Sequence, residues 1–143
     1  MNQINGSTEL IAHLGFPTHA FKAPMIYNPW FEKAGVNAVV VPMGCRPEHF
    51  PDFLRSIFRL SNIRGALITM PHKVVTVSLL DEVFPNAAIA GACNAVRLGP
   101  DGQLQGGAEG PHQNGFNRGP GEPQCAGQCQ ACADQQRQAD HIE

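Results

Sequence analysis

Gly65-Ala66-Leu67-Ile68-Thr69-Met70, followed by Pro71-His72-Lys73-Val74-Val75-Thr76-Val77-Ser78-Leu79-Leu80, is the stretch on which the fold turns. Its first part is an apolar run of strand length. It stops at a proline, which has no N–H for a sheet ladder and holds the residue before it extended. The second part is longer and reads as a helix over 74–84, despite Val74, Val75 and Val77. A buried strand passing straight into a helix is the unit of an α/β layer fold.

The same alternation extends on both sides. Upstream, 37–43 is a β-branched run and reads as a strand. Between the two strands, Phe50, Phe53, Leu54, Ile57 and Phe58 follow helical spacing, with Asp52, Arg55 and Arg59 on the other side. Leu10 to Leu14 is a further apolar run, stopped by Gly15-Phe16-Pro17. Pro24 can open a helix that runs to Lys33 and ends at Gly35, with a kink expected at Pro29. Downstream, 93–98 and 103–105 flank Gly99-Pro100-Asp101-Gly102, which reads as a hairpin turn. The expectation is an α/β fold: a small, largely parallel sheet flanked by helices and ending in a β-hairpin, with strands 37–43 and 65–70 as neighbours.

Composition divides the 143 residues near Gly106. Residues 1–106 hold 38 Val, Ile, Leu, Met, Phe, Trp or Tyr; residues 107–143 hold two, Phe116 and Ile142. The second segment cannot offset its own ordering entropy and is expected to be a low-complexity, disordered or frame-shifted tail. The core must come from a domain over 8–106. The formal net charge of −2 gives no electrostatic reason to expect nucleic acid or an anionic membrane as partner. No apolar run approaches the roughly 18 residues of a membrane span. Met1 to Gly6 has neither a basic start nor an apolar stretch, so no secretory signal is expected and the chain is read as cytoplasmic.

Chemistry is expected at the carboxyl ends of the strands, where open α/β sheets bind ligands. Lys73 sits at such a strand-to-helix junction. It is either a solvated helix-start lysine or a partly desolvated proton shuttle. His72 is a ligand, an acid/base or a structural histidine. Asn94, within Gly91-Ala92-Cys93-Asn94-Ala95-Val96, either bonds a ligand hydroxyl or pairs with backbone. Cys45 and Cys93 read as buried thiols in strands. Cys125, Cys129 and Cys132 have the spacing C-x3-C-x2-C, but lack the apolar shell and fourth ligand of a cluster site, so no metal is expected. There is no phosphate-binding P-loop, and no G-x-G-x-x-G follows a strand.

Taken in order, these residues resemble the N-terminal substrate-binding domain of the shikimate dehydrogenase family. The family pattern runs G-x-P, H-S-x-S-P, a helix ending near N-x-x-F, N-V-T-x-P-x-K, L-D-E, G-A-x-N-T, and a hairpin leading to N-T-D-G. Gly15 and Pro17 match its opening; Pro24, Asn28 and Phe31 match the helix. Thr69, Pro71 and Lys73 match the central motif, and Leu80-Asp81-Glu82, Gly91-Ala92 and Asn94 match the next two. Gly102, Leu104 and Gly106 match the hairpin, so the resemblance covers about residues 10–106.

The resemblance implies an NADP- or NAD-dependent oxidoreductase acting on a small hydroxy acid of shikimate or quinate type, with a homodimer as one possible assembly. It implies that Lys73 is catalytic, paired in the family with the aspartate of N-T-D-G, and that Thr69 and Asn94 line the substrate pocket. Three departures bear on the substrate. H-S-x-S-P reads Ala20-Phe21-Lys22-Ala23-Pro24, so Phe21 and Ala23 replace the two serines that hold the substrate carboxylate, and Lys22 between them can supply a charge. The asparagine of N-V-T is Leu67. A pocket losing these hydrogen bonds is expected to take a different or modified substrate. After Gly106 the chain reads Gly107-Ala108-Glu109-Gly110, without the aspartate, and no cofactor-binding unit is expected in this chain. The expected function is thus the substrate-binding half of such an enzyme, inactive alone. The alternatives are a stand-alone module for small carboxylates and a non-functional truncated product.

Overall fold

The computed structural model describes residues 3–108. They contain β1 (Glu9–Gly15), α1 (Ala23–Ala34), β2 (Ala38–Gly44), α2 (Phe50–Ile57) and β3 (Ile63–Ile68). There follow α3 (Lys73–Leu79), β4 (Glu82–Val83), α4 (Pro85–Ala90), β5 (Ala95–Leu98) and β6 (Leu104–Gly107). One six-stranded sheet has the order β2-β1-β3-β5-β6-β4. β1 pairs in parallel with both β2 and β3, and β4 with β6; β3–β5 and β5–β6 are antiparallel. The sheet is therefore mostly parallel and closes with the β5–β6 hairpin, as the sequence pattern predicts.

Strand periodicity assigns the two faces. Ala12 and Leu14 of β1, with Ala66 and Ile68 of β3, pack against Phe50, Leu54 and Ile57 of α2. Ile11 of β1 faces the other way, into a cluster with Phe31 of α1 and Ala38 and Val40 of β2. Because β1 is covered on both faces, Ile11 through Gly15 are all buried. This explains one correction. Strands 37–43 and 65–70 lie in the same sheet but are not neighbours, because β1, with apolar partners on both faces, sits between them.

A second correction concerns 74–84, which is not a single helix. α3 ends at Leu79 and Leu80 is extended. The Asp81 carboxylate accepts the Leu104 N–H at 2.8 Å and meets Arg55 of α2 at 3.1 Å. Those bonds hold the chain against β6, where Glu82 and Val83 pair as β4. Pro85 then opens α4, and Gly91, with φ of 64°, ends it in the left-handed conformation. α1 runs through Pro29 as one helix.

β2 is an edge strand. Its outer side is partly closed by Asn28 of α1, whose amide donates to the Val40 carbonyl at 3.1 Å and accepts the Val40 N–H at 2.7 Å. A side-chain amide thus takes the place of a seventh strand at that position. The tail expected from 107 begins later: Gly107 is the last residue of β6 and Ala108 packs against the core, because β6 pairs with β5 through Gly107. Residues 109–143, with Glu109 and the Cys125, Cys129 and Cys132 triplet, lie outside the described residues.

Candidate functional site

The carboxyl ends of β1 and β3 meet closely. The Thr69 N–H donates to the Leu14 carbonyl at 2.9 Å, and the Phe16 N–H to the Met70 carbonyl at 3.1 Å. Gly15 is the residue that allows this approach. A Cβ there would collide with Thr69 Cγ2 and stand 2.7 Å from Phe21 Cζ and 2.9 Å from the Met70 carbonyl oxygen. Gly15, Phe21 and Thr69 therefore share one place above the sheet.

Three further backbone bonds bring Lys73 and Asn94 to the same end. Ile68, the residue before Thr69, donates its N–H to the Asn94 carbonyl at 2.8 Å. Cys93 donates to the Lys73 carbonyl at 2.8 Å, and Asn94 donates to Gly107 at 3.0 Å. Lys73 is half-buried at the first position of α3, and Thr69 and Asn94 are also half-buried. Thr69, Lys73 and Asn94 thus stand together at the end of β3.

The residues read from the replaced serine motif divide. Phe21 is half-buried and reaches Gly15. Lys22 is exposed at the start of α1. Ala23 packs against the Ile11, Phe31, Ala38 and Val40 cluster. His72 is structural. It is 1% exposed, its ring stacks on Phe50 at 3.9 Å, and its Nε2 lies 2.7 Å from the Cys45 carbonyl.

His13 is the residue that sequence reasoning missed, because one histidine inside Leu10–Leu14 did not disturb an otherwise apolar run. It lies on β1, 8% exposed, with its ring centroid 4.3 Å from that of Phe21. Among the described residues its Nδ1 is the one buried side-chain nitrogen or oxygen without a hydrogen-bond partner. Burial holds the imidazole below its ordinary range, and the nearby Lys73 ammonium lowers it further. The ring is therefore neutral at about pH 7. The other buried polar side chains are paired: Thr8 with Asn37, His72 with Cys45, and Thr76 with the His72 carbonyl. An unpaired buried nitrogen costs roughly 1–3 kcal/mol.

The two described cysteines offer no nucleophile. Cys45 lies one residue past β2 and is only half-buried, contrary to its reading as a buried strand thiol; Cys93 is buried as expected but lies two residues before β5, not in a strand. Burial pushes both thiols up, away from the reactive thiolate. Among the described residues no His, Cys, Asp and Glu group is placed to hold a metal ion, and no helix is long and apolar enough to cross a membrane. Among the described residues the strand-to-helix turns carry no glycine-rich loop of the kind through which a backbone approaches a pyrophosphate.

Comparison with known proteins agrees with this architecture. The family model for the shikimate dehydrogenase substrate binding domain matches residues 14–96. A shikimate dehydrogenase (NADP(+)) of Paramagnetospirillum magneticum is 31% identical over 103 residues, which cover 72% of this chain and 37% of that protein. That of Rubrobacter xylanophilus is 36% identical over 104 residues, 73% of this chain and 36% of the relative. The structure of a shikimate 5-dehydrogenase from Listeria monocytogenes, solved with shikimate and NAD, matches with a TM-score of 0.68 at 32% identity. That match covers 75% of this chain and 36% of the other. The chain thus spans little more than a third of the length of these relatives.

Proposed function

Because the chain belongs to the shikimate dehydrogenase family through its substrate-binding domain, we propose that residues 8–106 form the substrate-binding half of a shikimate- or quinate-dehydrogenase-like oxidoreductase. The observation that carries this reading is the convergence of Thr69, Lys73 and Asn94 at the end of β3, beside the close approach at Gly15. The ligand is a small hydroxy acid of shikimate or quinate type, or a variant of one.

Each role follows from the side chain. Lys73 is the catalytic residue: its amine would take the proton of the substrate hydroxyl while the hydride on the same carbon left for the nicotinamide that NADP or NAD would supply when bound, or return the proton in the reverse direction. The Thr69 hydroxyl and Asn94 amide bond neighbouring hydroxyls and fix which carbon reacts. Phe21 makes the carboxylate end more apolar than the serine it replaces, Ala23 removes a second hydroxyl, and Lys22 at the rim supplies a positive charge. The cofactor class is NADP or NAD, held by a dinucleotide-binding unit outside residues 3–108. Without that unit the chain turns over no substrate, because placing the nicotinamide against the substrate supplies on the order of 7–11 kcal/mol of barrier lowering. The reading places the chain in the cytoplasm, with a small molecule as its ligand and a second copy as a candidate partner.

The test is a titration of the full chain with shikimate and quinate, followed by addition of the dinucleotide-binding half of a relative with NADP and NAD. Saturable acid binding, with turnover on complementation that Lys73→Ala abolishes, supports the reading. Absence of acid binding by the folded chain contradicts it. Binding that never leads to turnover favours the stand-alone carboxylate-binding module.

A further inference from the structure

The roles given to Thr69, Lys73 and Asn94 make no use of His13. Yet this ring stands on the same face of β1 as Gly15, two residues back along the strand and against Phe21. Its register partners are Pro42 on β2 and Leu67 on β3, and neither side chain can bond a ring nitrogen. A buried strand centre favours Val, Ile or Leu, so an unpartnered imidazole there weakens the fold. A buried group of this kind calls for an explanation beyond packing.

The register supplies one. Leu67 stands where the family pattern has the asparagine of N-V-T, so β3 lacks that amide. The position directly across from it, on β1, carries the imidazole. We infer that His13 is a specificity-determining residue of this cleft: its ring bonds the carboxylate of a small acid seated beside Lys73, and takes up one proton from solvent as that acid binds. The inference rests on reading the cleft as a site for acids of shikimate or quinate type.

The charge arrangement gives the direction of the effect. Lys73, from α3, is the charged group that acts on the ring. β2 and β3 present Pro42 and Leu67, the loop before α1 presents Phe21, Lys22 is exposed, and Tyr27 of α1 packs against the Ile11 cluster. In the free protein a second positive charge beside Lys73, in a buried place, is disfavoured, and the ring stays neutral. A carboxylate placed against the ring, on its Phe21 side, offsets the field of Lys73 and raises the imidazole pKa. The complex then holds more protons than the free protein. Affinity therefore rises as pH falls, by up to about tenfold per pH unit, until the free ring is itself protonated. The Phe21 ring covers the imidazole and must yield to the ligand, so Phe21→Ser opens that path.

The experiment is a calorimetric titration of shikimate into the full chain from about pH 5.5 to about pH 8, in buffers of different ionisation heat. The His13 ring is followed by NMR with and without shikimate. The expected results are uptake approaching one proton where His13 starts neutral, an upward shift of the His13 titration on binding, and weaker binding as pH rises. His13→Val loses the uptake, binds about tenfold weaker near pH 6 and has a flat profile. It is at least as stable as wild type to urea, whereas a purely structural histidine would leave it less stable. Phe21→Ser keeps the uptake and binds more tightly. Acid binding with no proton uptake and no shift of the His13 titration overturns the role of His13 alone. So does wild-type affinity in His13→Val. A folded wild-type chain that binds neither shikimate nor quinate overturns the acid reading of the cleft and this inference with it.

Discussion

Asn28→Ala removes the amide that closes the outer side of β2. Two bonds go with it, the 2.7 Å bond from the Val40 N–H and the 3.1 Å bond to the Val40 carbonyl. The site is part-buried, so water replaces them incompletely, and each loss costs about 1–2 kcal/mol. Alanine is the better helix former and returns about 0.5 kcal/mol. The net destabilisation expected is about 1.5–3.5 kcal/mol, a large share of the roughly 5–15 kcal/mol that holds a domain of this size together. The assay is urea unfolding of the full chain, with Lys33→Ala as control on the exposed side of the same helix; that change is expected to stay within about 0.5 kcal/mol of wild type. Hydrogen exchange adds a local readout, since the Val40 amide should exchange much faster in the variant while the amides of β1 keep their protection. If Asn28→Ala matches Lys33→Ala in urea and the Val40 amide remains slow, the argument that a side chain substitutes for a strand at this edge is refuted.

Gly15→Ala should cost about 1–3 kcal/mol in the same assay, because the added methyl meets the Met70 carbonyl, which is backbone and cannot turn aside. It should also weaken acid binding by displacing Thr69. Asp81→Asn tests the clasp between α2 and β6. The Leu104 N–H is the main cause that holds the Asp81 carboxyl below its ordinary value; desolvation opposes it, and Arg55 adds to the lowering. Because the folded-state pKa is depressed, the stabilisation is present above the unfolded pKa and is lost as pH falls through the folded one. The wild-type advantage over Asp81→Asn in urea should therefore be full at neutral pH and close in acid; an advantage that persists unchanged in acid contradicts this. Restoring serine at both Phe21 and Ala23 should tighten binding of shikimate-type acids in a direct titration, and an unchanged affinity would count against the carboxylate assignment of that end.

The parts of the fold visible in the sequence were those in which one physical signal dominates. β1, β2 and β3 are mostly apolar runs, with β1 covered on both faces, and α2 is read from the spacing of Phe50, Leu54 and Ile57. β4 and α4, at two and six residues, are too short for periodicity. Their positions are set by Asp81 bonding residues 26 and 23 positions away, which no local pattern reveals. Sequence order points to 37–43 and 65–70 as neighbours, but the strand with apolar partners on both faces, β1, lies between them. At the site, Thr69, Lys73 and Asn94 were reached through motif resemblance, and backbone bonds bring them to one place. His13 was missed because its burial, its lone nitrogen and its proximity to Lys73 are properties of tertiary structure.

The central claim, that the end of β3 is a site for a shikimate- or quinate-type acid, is tested most directly by adding shikimate to the isotopically labelled full chain and following its backbone amides by NMR. The expected result is saturable shifts confined to His13, Gly15, Phe21, Thr69, Lys73 and Asn94 and their immediate neighbours, with Lys33 and the β5–β6 turn unmoved. Saturable shifts centred on any other surface, or none from a folded chain at millimolar shikimate, would contradict it.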